Sequence, residues 1–231
     1  MGDTKMNQQA IDLVNKQGLQ FFGSVNASIS HELKNIFAII SETAGFLHDL
    51  TQLSKQGKNV ELSLLENCSN SIAEEIERGF DTIRQMNQFA HSVDDPVKET
   101  SITDTLTLAV KLTGYLRYAK KTRIDPSAAD ITVLTSPFLL QSLIYRTLCA
   151  IYKSVDATDT LKITFHEKKP STVSLQFSWD SPVAFKAFPD RQTTDAAQAL
   201  GADFSISDNS LDLTVAAGGE SLSAALTDTK A

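Results

Sequence analysis

The sequence predicts an α+β protein in two parts, a long N-terminal helical hairpin followed by an α/β sandwich. From about Gln8 to Ser54 there is no proline, and apolar residues recur at three- and four-residue steps, as on one face of a helix. A second pattern of this kind runs from Leu62 to Val93. Beyond Pro96, short alternating apolar segments typical of strands appear between shorter helical patterns. We therefore predict one domain over residues 1–96 and a second over residues 97–231.

Each long helix carries one apolar stripe. The first stripe comprises Phe22, Val25, Ile29, Leu33, Ile36, Ile40, Ala44, Leu47 and Leu50. The second comprises Leu62, Leu65, Ser69, Ile72, Ile76, Gly79, Ile83, Met86, Ala90 and Val93. Between them, Gly57 suits a left-handed residue that ends the first helix. A lone hairpin of this length leaves apolar surface uncovered, so we expect a homodimer in which two hairpins form a four-helix bundle.

The second part alternates helices with short strands. The predicted helices cover roughly Thr103 to Lys120, Pro137 to Val155 with Ser136 as N-cap, and Arg191 to Leu200. The predicted strands are Ile131 to Leu134, an antiparallel pair over Leu161 to His166 and Val173 to Trp179, and a last hairpin over Phe204 to Ile206 and Leu211 to Val215. Helices combined with an antiparallel sheet indicate an α/β sandwich.

Charge and hydropathy exclude two classes of partner. The formal net charge is -7 and the isoelectric point is near 5.1, whereas a nucleic-acid-binding protein normally presents a basic face. The best apolar run, Ile36 to Ile40, falls far short of the ~18 residues that cross a bilayer. We therefore expect no nucleic acid and no membrane among the partners, and a cytoplasmic location.

The stretch from Ser30 to Asn35 carries the candidate catalytic residues. His31 and Asn35 are four residues apart and share one helix face, while Glu32 lies beside the histidine. A neutral imidazole is a competent nucleophile near neutral pH. Glu32 could hydrogen-bond one ring nitrogen and raise the nucleophilicity of the other, and Asn35 could orient water or contact phosphoryl oxygens. The alternative is a surface histidine with no role.

The face that carries His31 points away from the apolar stripe. His31 is two residues from Ile29 and from Leu33, which turns it roughly 200° from the bundle core. The other residues of this face are small or polar: Ser24, Ser28, Ala38 and Glu42. A face of this composition would let another protein approach the imidazole closely.

This segment resembles the phospho-accepting box of bacterial two-component histidine kinases, which reads His-Glu-x-x-Asn or His-Glu-x-x-Thr. The resemblance implies that His31 accepts a phosphoryl group and that the residue at position 35 influences phosphatase activity. The order of elements from about Ile102 to Ala217 is also similar to that of the ATP-binding domain of these kinases.

The nucleotide-binding motifs of the family are incomplete in this chain. The family helix reads roughly Gln-x-Leu-x-Asn-Leu-x-x-Asn-Ala, but Tyr145 and Cys149 stand at the two asparagine positions, and a thiol is a poor ligand for the magnesium of ATP. Asp180 lacks the glycines that follow the family's adenine-binding aspartate, and no glycine-rich phosphate loop follows. We therefore expect that ATP does not bind and that the chain holds no cofactor or metal.

An intact histidine box beside a degenerate ATP-binding domain resembles the dimeric histidine phosphotransferases of bacterial phosphorelays. The resemblance implies that His31 carries a phosphoryl group between the aspartates of response-regulator receiver domains, without ATP-dependent autophosphorylation, and that the partner receiver holds the magnesium ion. Two alternatives stay open: a response-regulator phosphatase in which Glu32 or Asn35 aims water, and a non-catalytic receiver-binding dimer. Whether the chain is an enzyme depends on which of these holds.

Overall fold

The computed structural model describes residues 2–114, 121–125, 131–156, 158–169 and 172–216, with side chains from residue 18 onward except at residue 169. Within these residues, five α-helices and seven β-strands form an α+β fold, which confirms the predicted fold class. The chain divides into two compact units, Ser24–Gln88 and the remainder. The predicted domain boundary after residue 96 stays a prediction. Among the described residues, no helix has the length and apolarity that crossing a membrane requires.

The two N-terminal helices form where the apolar stripes predict helices. Helix α1 spans Gly2–Lys55 and helix α2 spans Leu62–Ala90, after which a 3₁₀ turn covers His91–Val93. The end of α1 lies where the sequence predicts it. Gly57 has φ +78°, a left-handed conformation that glycine adopts without strain, and the Lys58 amide donates to the Leu53 carbonyl at 3.1 Å.

The register of the hairpin gives it two different sides. Ile36 of α1 is buried, and a Cβ added at Gly79 of α2 would lie 3.8 Å from its Cγ2, so these two positions face each other. Each residue turns a helix by roughly 100°. Because the helices of a hairpin are antiparallel, the residues that follow, Phe37 and Phe80, share one side. The residues that precede, Asn35 and Arg78, share the other.

Three helices lie wholly in the second unit, the one that comprises the chain outside Ser24–Gln88 and so also includes the start of α1: α3 spans Ile102–Leu112, α4 spans Pro137–Ser154 and α5 spans Arg191–Leu200. Helix α3 is shorter than the predicted Thr103–Lys120. The Thr113 hydroxyl donates to the carbonyls of Ala109 and Val110, both at 2.9 Å, and Gly114 follows in a turn. Residues 115–120 of the prediction lie outside the described residues.

The ends of α4 and α5 show how these helices are capped. Ser136 occupies the N-cap of α4 and Pro137 the first helical position, as predicted, although the Ser136 side chain makes no cap hydrogen bond. Asp190 caps α5 by accepting hydrogen bonds from the Thr193 amide at 2.8 Å and its hydroxyl at 2.6 Å. Gly201, with φ +61°, ends α5.

The seven strands form a two-stranded and a five-stranded sheet. In chain order, the strands are β1 Lys98–Ser101, β2 Thr122–Ile124, β3 Thr132–Thr135, β4 Leu161–Lys169, β5 Thr172–Ser178, β6 Ala202–Ile206 and β7 Ser210–Ala216. Strand β1 pairs with β3, and the larger sheet has the order β2-β4-β5-β7-β6. The predicted pairing of β4 with β5 and the last hairpin, β6 with β7, are confirmed as antiparallel. Strand β2 runs parallel to β4 and makes the sheet mixed.

Alternate residues of the large sheet form one continuous core with the three helices. Ile163, Leu175 and Leu213 come from adjacent strands and are completely buried, as are Ile144 and Leu148 of α4. The alternation follows from the two-residue period of a strand, which sends successive side chains to opposite faces. The second unit is therefore a sandwich of helices on one sheet face.

Candidate functional site

The predicted pair His31 and Asn35 lies on one exposed face of α1. The Asn35 Nδ2 atom is 3.2 Å from His31 Nδ1, one helical turn away. His31 is exposed to solvent. The structure thus brings together an accessible imidazole and an amide that occupies its inner nitrogen.

This contact governs which ring nitrogen can react. With Asn35 Nδ2 donating, His31 Nδ1 is the acceptor, and the proton of a neutral ring resides on Nε2. When the amide is turned over, Oδ1 faces Nδ1 in the same geometry. The proton then resides on Nδ1, and the outward Nε2 presents a lone pair. Asn35 can therefore support the nucleophilic tautomer of His31.

Glu32 is directed to the neighbouring helix. Its Oε1 accepts hydrogen bonds from Nε of Arg78, at 3.0 Å, and from Nη2 of the same guanidinium. No hydrogen bond joins Glu32 to His31, and both residues lie within the described part of the chain. The role that the sequence suggested for Glu32, a direct bond to the imidazole, stays a prediction.

Arg78 contacts the candidate site through Glu32, and the sequence does not reveal this contact. It lies 46 residues after Glu32, and only the pairing of α1 with α2 brings the two together. The hydrogen bond to Glu32 raises the pKa of Arg78 above its ordinary value, with the nearby charges of Glu32 and Glu75 acting in the same direction against desolvation. The sequence carries one local signal for the location of Arg78, because Arg78 directly precedes Gly79, the position that faces Ile36.

The surroundings of His31 agree with the predicted small and polar face. Ser24, Ala38 and Glu42 are exposed, and Ser28 is half-buried. No group of three or more histidine, cysteine, aspartate or glutamate side chains is placed to hold a metal ion in the portion of the chain that the structure describes.

His48 offers an internal comparison on the same helix. It is also exposed and also has an amide four residues on, since Gln52 Nε2 lies 3.3 Å from its ring. The difference is the nitrogen involved, because Gln52 contacts the outer Nε2 of His48 whereas Asn35 contacts the inner Nδ1 of His31. Of these two histidines, only His31 has its outer nitrogen left by the amide for an incoming group.

Tyr145 and Cys149 of α4 stand at the two asparagine positions of the kinase motif. Of these two residues, Tyr145 packs against aromatic rings. Tyr145 is 5% exposed, and its ring centroid lies 5.2 Å from that of Phe21 of α1. Phe21 also contacts Phe89 at 5.3 Å and Phe138 at 5.4 Å. Cys149 is half-buried. Tyr145 therefore belongs to an aromatic cluster at a position where the kinase motif has an amide side chain.

A second aromatic series lines the segment that follows Asp180. Trp179, Phe185, Phe188 and Phe204 contact one another in succession, with centroid separations of 5.7, 5.7 and 5.2 Å. The carbonyl of Asp180 accepts a hydrogen bond from Asn209 Nδ2 at 2.8 Å. This segment, which carries none of the family's glycines, is held by ring packing and by a side-chain hydrogen bond to its backbone. The expectation that ATP does not bind stays a prediction.

Solved structures similar to this chain are histidine kinases. The histidine kinase AdeS of Acinetobacter baumannii is 12% identical, with 81% of this chain and 98% of that chain covered and a TM-score of 0.45. For the histidine kinase ThkA in complex with the response regulator protein TrrA, the identity is 14%, the coverage 87% and 64%, and the TM-score 0.42. A mycobacterial sensor histidine kinase, MprB, is 9% identical, with 52% and 96% covered and a TM-score of 0.42.

The likeness to these kinases is one of fold. No protein-family model matches the chain, and no curated protein matches it. The chemistry of residues 31–35 and their contacts therefore carry the functional proposal.

Proposed function

We propose that this protein is a histidine phosphotransferase of a two-component phosphorelay, which carries a phosphoryl group on His31 between response-regulator receiver aspartates without ATP-dependent autophosphorylation. One observation carries the proposal: His31 is exposed while Asn35 occupies its inner nitrogen at 3.2 Å. This arrangement leaves Nε2 as the nitrogen that an incoming phosphoryl group can reach. Phosphoryl transfer requires mainly positioning and charge stabilisation from the protein.

The transfer step balances without a further reactant. The Nε2 lone pair attacks phosphorus of a receiver aspartyl phosphate, the bond from phosphorus to the aspartyl oxygen breaks, and the receiver leaves as a carboxylate. With the Asn35 amide turned over from the orientation in which Nδ2 faces the ring, the ring retains the proton on Nδ1, which donates to Asn35 Oδ1 and supports the imidazolium character of the phosphorylated ring. Reversal of the step delivers the group to a second receiver. We expect the magnesium ion to be held by the receiver.

The direct test is labelling of the protein by a receiver that carries radioactive phosphate. We expect a label that is stable to base and lost in acid, the behaviour of a phosphoramidate. His31→Gln should abolish the label without loss of folding, because an exposed side chain contributes little to stability. His48→Gln is the matched control, since it removes an exposed histidine with a neighbouring amide from the same helix and should label as the wild type does.

Three results would redirect the proposal. If His31→Gln still carries phosphate, the nucleophile is elsewhere. Loss of receiver phosphate without label on the wild type favours the phosphatase alternative, with Asn35 as the residue to substitute next. Binding of the receiver with neither label nor phosphate loss favours the non-catalytic dimer.

A homodimer is part of the proposal. Phe37 and Phe80 are 65% and 53% exposed, and Ile76 and Ile83 on the side of Phe80 are 44% and 41% exposed. These four side chains form an exposed apolar surface on the side of the hairpin away from Asn35. A second copy presents the same surface, so a two-fold interface would cover both surfaces at once and leave both histidine faces accessible.

Substituting charged residues on this exposed apolar surface tests the dimer. Ile76→Asp combined with Ile83→Asp should shift the mass in analytical ultracentrifugation from dimer to monomer, because two carboxylates would enter the interface. Asn67→Asp combined with Gln85→Asp is the control, since these positions lie three and two turns from Arg78 on the histidine side. An unchanged mass for the first variant would contradict the bundle.

The absence of ATP binding is likewise proposed. Support comes from Tyr145, whose ring packs against Phe21, and from the missing glycine loop. Titration calorimetry with magnesium and ATP should show no binding up to about millimolar ligand, a limit near -4 kcal/mol. A micromolar dissociation constant would overturn this part of the proposal and favour an ATP-dependent kinase.

A further inference from the structure

Glu32 and Arg78 form a contact between the two helices directly beside His31. Two guanidinium nitrogens of Arg78, Nε and Nη2, donate to the same oxygen of Glu32. The side chains are 35% and 43% exposed, so the contact lies at the surface that a docking protein would approach. The pair links α1 with α2 at the level of the histidine box.

Arg78 is itself fixed from the other side. Its Nη1 donates to both carboxylate oxygens of Glu75, at 3.0 and 2.9 Å, one turn back on α2. Glu75 is the most covered member, with 16% of its side chain exposed. The planar guanidinium is therefore held in one orientation by two carboxylates, which arginine's fork of donors suits better than a lysine ammonium does.

The contact between Arg78 and Glu32 affects the charge that an incoming phosphoryl group meets beside His31. An aspartyl phosphate that approaches His31 carries negative charge, and the Glu32 carboxylate beside it would repel the incoming group. The positive charge of Arg78 lies next to that carboxylate and offsets its negative charge, and the hydrogen bonds from Arg78 determine where the carboxylate oxygens lie. Both effects act on Glu32 and reach His31 only through it.

We propose that Arg78 is a positioning residue of the phosphotransfer site, which holds Glu32 in place and offsets its charge as the phosphoryl group is transferred. This inference rests on the proposed function of His31. Fold stability alone does not account for the arrangement, because exposed ion pairs contribute little. Arg84 and Asp81 form such a pair three residues apart on α2, away from the box.

The experiment measures single-turnover transfer from a phosphorylated receiver as a function of receiver concentration. Arg78→Ala should lower the rate at saturating receiver about 10-fold, a partial loss on the scale of a misplaced acid–base partner, with the half-saturating concentration unchanged. Arg84→Ala, which removes the neighbouring ion pair, should behave as the wild type. Arg78→Lys keeps the charge and should restore part of the rate, which a purely structural role would not predict.

A double-substitution cycle tests whether Arg78 acts through Glu32. Glu32→Gln alone should slow transfer by about 10²-fold. In that background, Arg78→Ala should cost less than about twofold more, since the charge that it balances is gone. A rate loss in the double variant equal to the product of the two single-variant losses would overturn the inference.

The outcomes separate this inference from the proposed function. If the wild type takes no label on His31, the proposed function fails first. If the wild type is labelled and Arg78→Ala transfers at the same rate, the positioning role alone is wrong. A raised half-saturating concentration with an unchanged rate would make Arg78 a receiver contact, which also contradicts it.

Discussion

The hairpin and the sandwich differ in how completely each buries its own apolar side chains. In the sandwich, Phe177 and Leu213 have no exposed surface and belong to one continuous core. In the hairpin, Phe37 and Phe80 are more than half exposed. Because two helices alone have one contact seam, an apolar residue beside the seam remains open unless another element covers it.

Under the proposed function, this difference gives the hairpin and the sandwich different tasks. A closed core needs no partner, whereas the hairpin has an open apolar side and an open polar side with separate chemistry. Asn35 and Arg78 lie on the polar side, and Phe37 and Phe80 on the other. Under the proposed function, a second copy would cover the apolar side while receivers visit the polar side.

The largest expected effect compares two phenylalanines. Phe177→Ala should lower the free energy of unfolding by about 3–5 kcal/mol, because it leaves a cavity in a closed core. Phe80→Ala should cost far less at low protein concentration, where the hairpin is unpaired, and more as concentration rises, since burial would then depend on dimerisation. Chemical denaturation at two concentrations checks both.

The same experiment can break the comparison. A concentration-independent loss for Phe80→Ala as large as that for Phe177→Ala would place Phe80 in a core of the single chain. The exposed apolar surface of the hairpin would then not be an interface.

A smaller effect concerns helix capping in the sandwich. Asp190→Ala should destabilise by about 1 kcal/mol, because α5 loses the cap to Thr193. Burial would raise the pKa of Asp190, but the hydrogen bonds from Thr193 and the charges of Arg146 and Lys153 outweigh it and lower the pKa below the ordinary 3.8. The carboxylate therefore contributes stability above about pH 4. That contribution is lost as the pH falls through the lowered folded value.

Denaturation of this variant at several pH values checks the sign. The difference from the wild type should be largest near neutral pH and shrink in acid. Ser136→Ala is the control, since Ser136 occupies an N-cap without a side-chain cap bond and should show no such pH dependence. A difference for Asp190→Ala that grows in acid would contradict the assignment.

The elements that the sequence predicts well are those with local signals. The stripes, Gly57 and the N-cap position of Ser136 indicate helix ends from neighbouring residues alone. Strands β1 and β2 have four and three residues and were not predicted. Each is defined by a remote partner, since Lys98 pairs with Thr135 and Thr122 with Leu161. So short a segment carries too few side chains for a period to appear.

The site divides in the same way. His31 and Asn35 are one turn apart, so helical spacing predicts their contact. Arg78 enters through the register of α1 with α2, which the spacing of either stripe alone does not determine. The interaction of Glu32 with another helix rather than with His31 follows from that register as well. Local spacing therefore predicts the contact between His31 and Asn35, whereas the contact between Glu32 and Arg78 depends on how the two helices pair.

The smallest expected effect tests the register of the hairpin seam. Gly79→Ala should stabilise the protein by about 0.5–1 kcal/mol, because alanine favours the helix and its Cβ would meet Ile36 at an ordinary 3.8 Å. Gly57→Ala is the matched control and should destabilise by about 1 kcal/mol, since its φ of +78° strains any residue with a Cβ. Thermal or chemical unfolding distinguishes the two signs. A destabilising Gly79→Ala would mean that α1 and α2 approach more closely than the 3.8 Å contact allows, and the side assigned to Arg78 would then need revision.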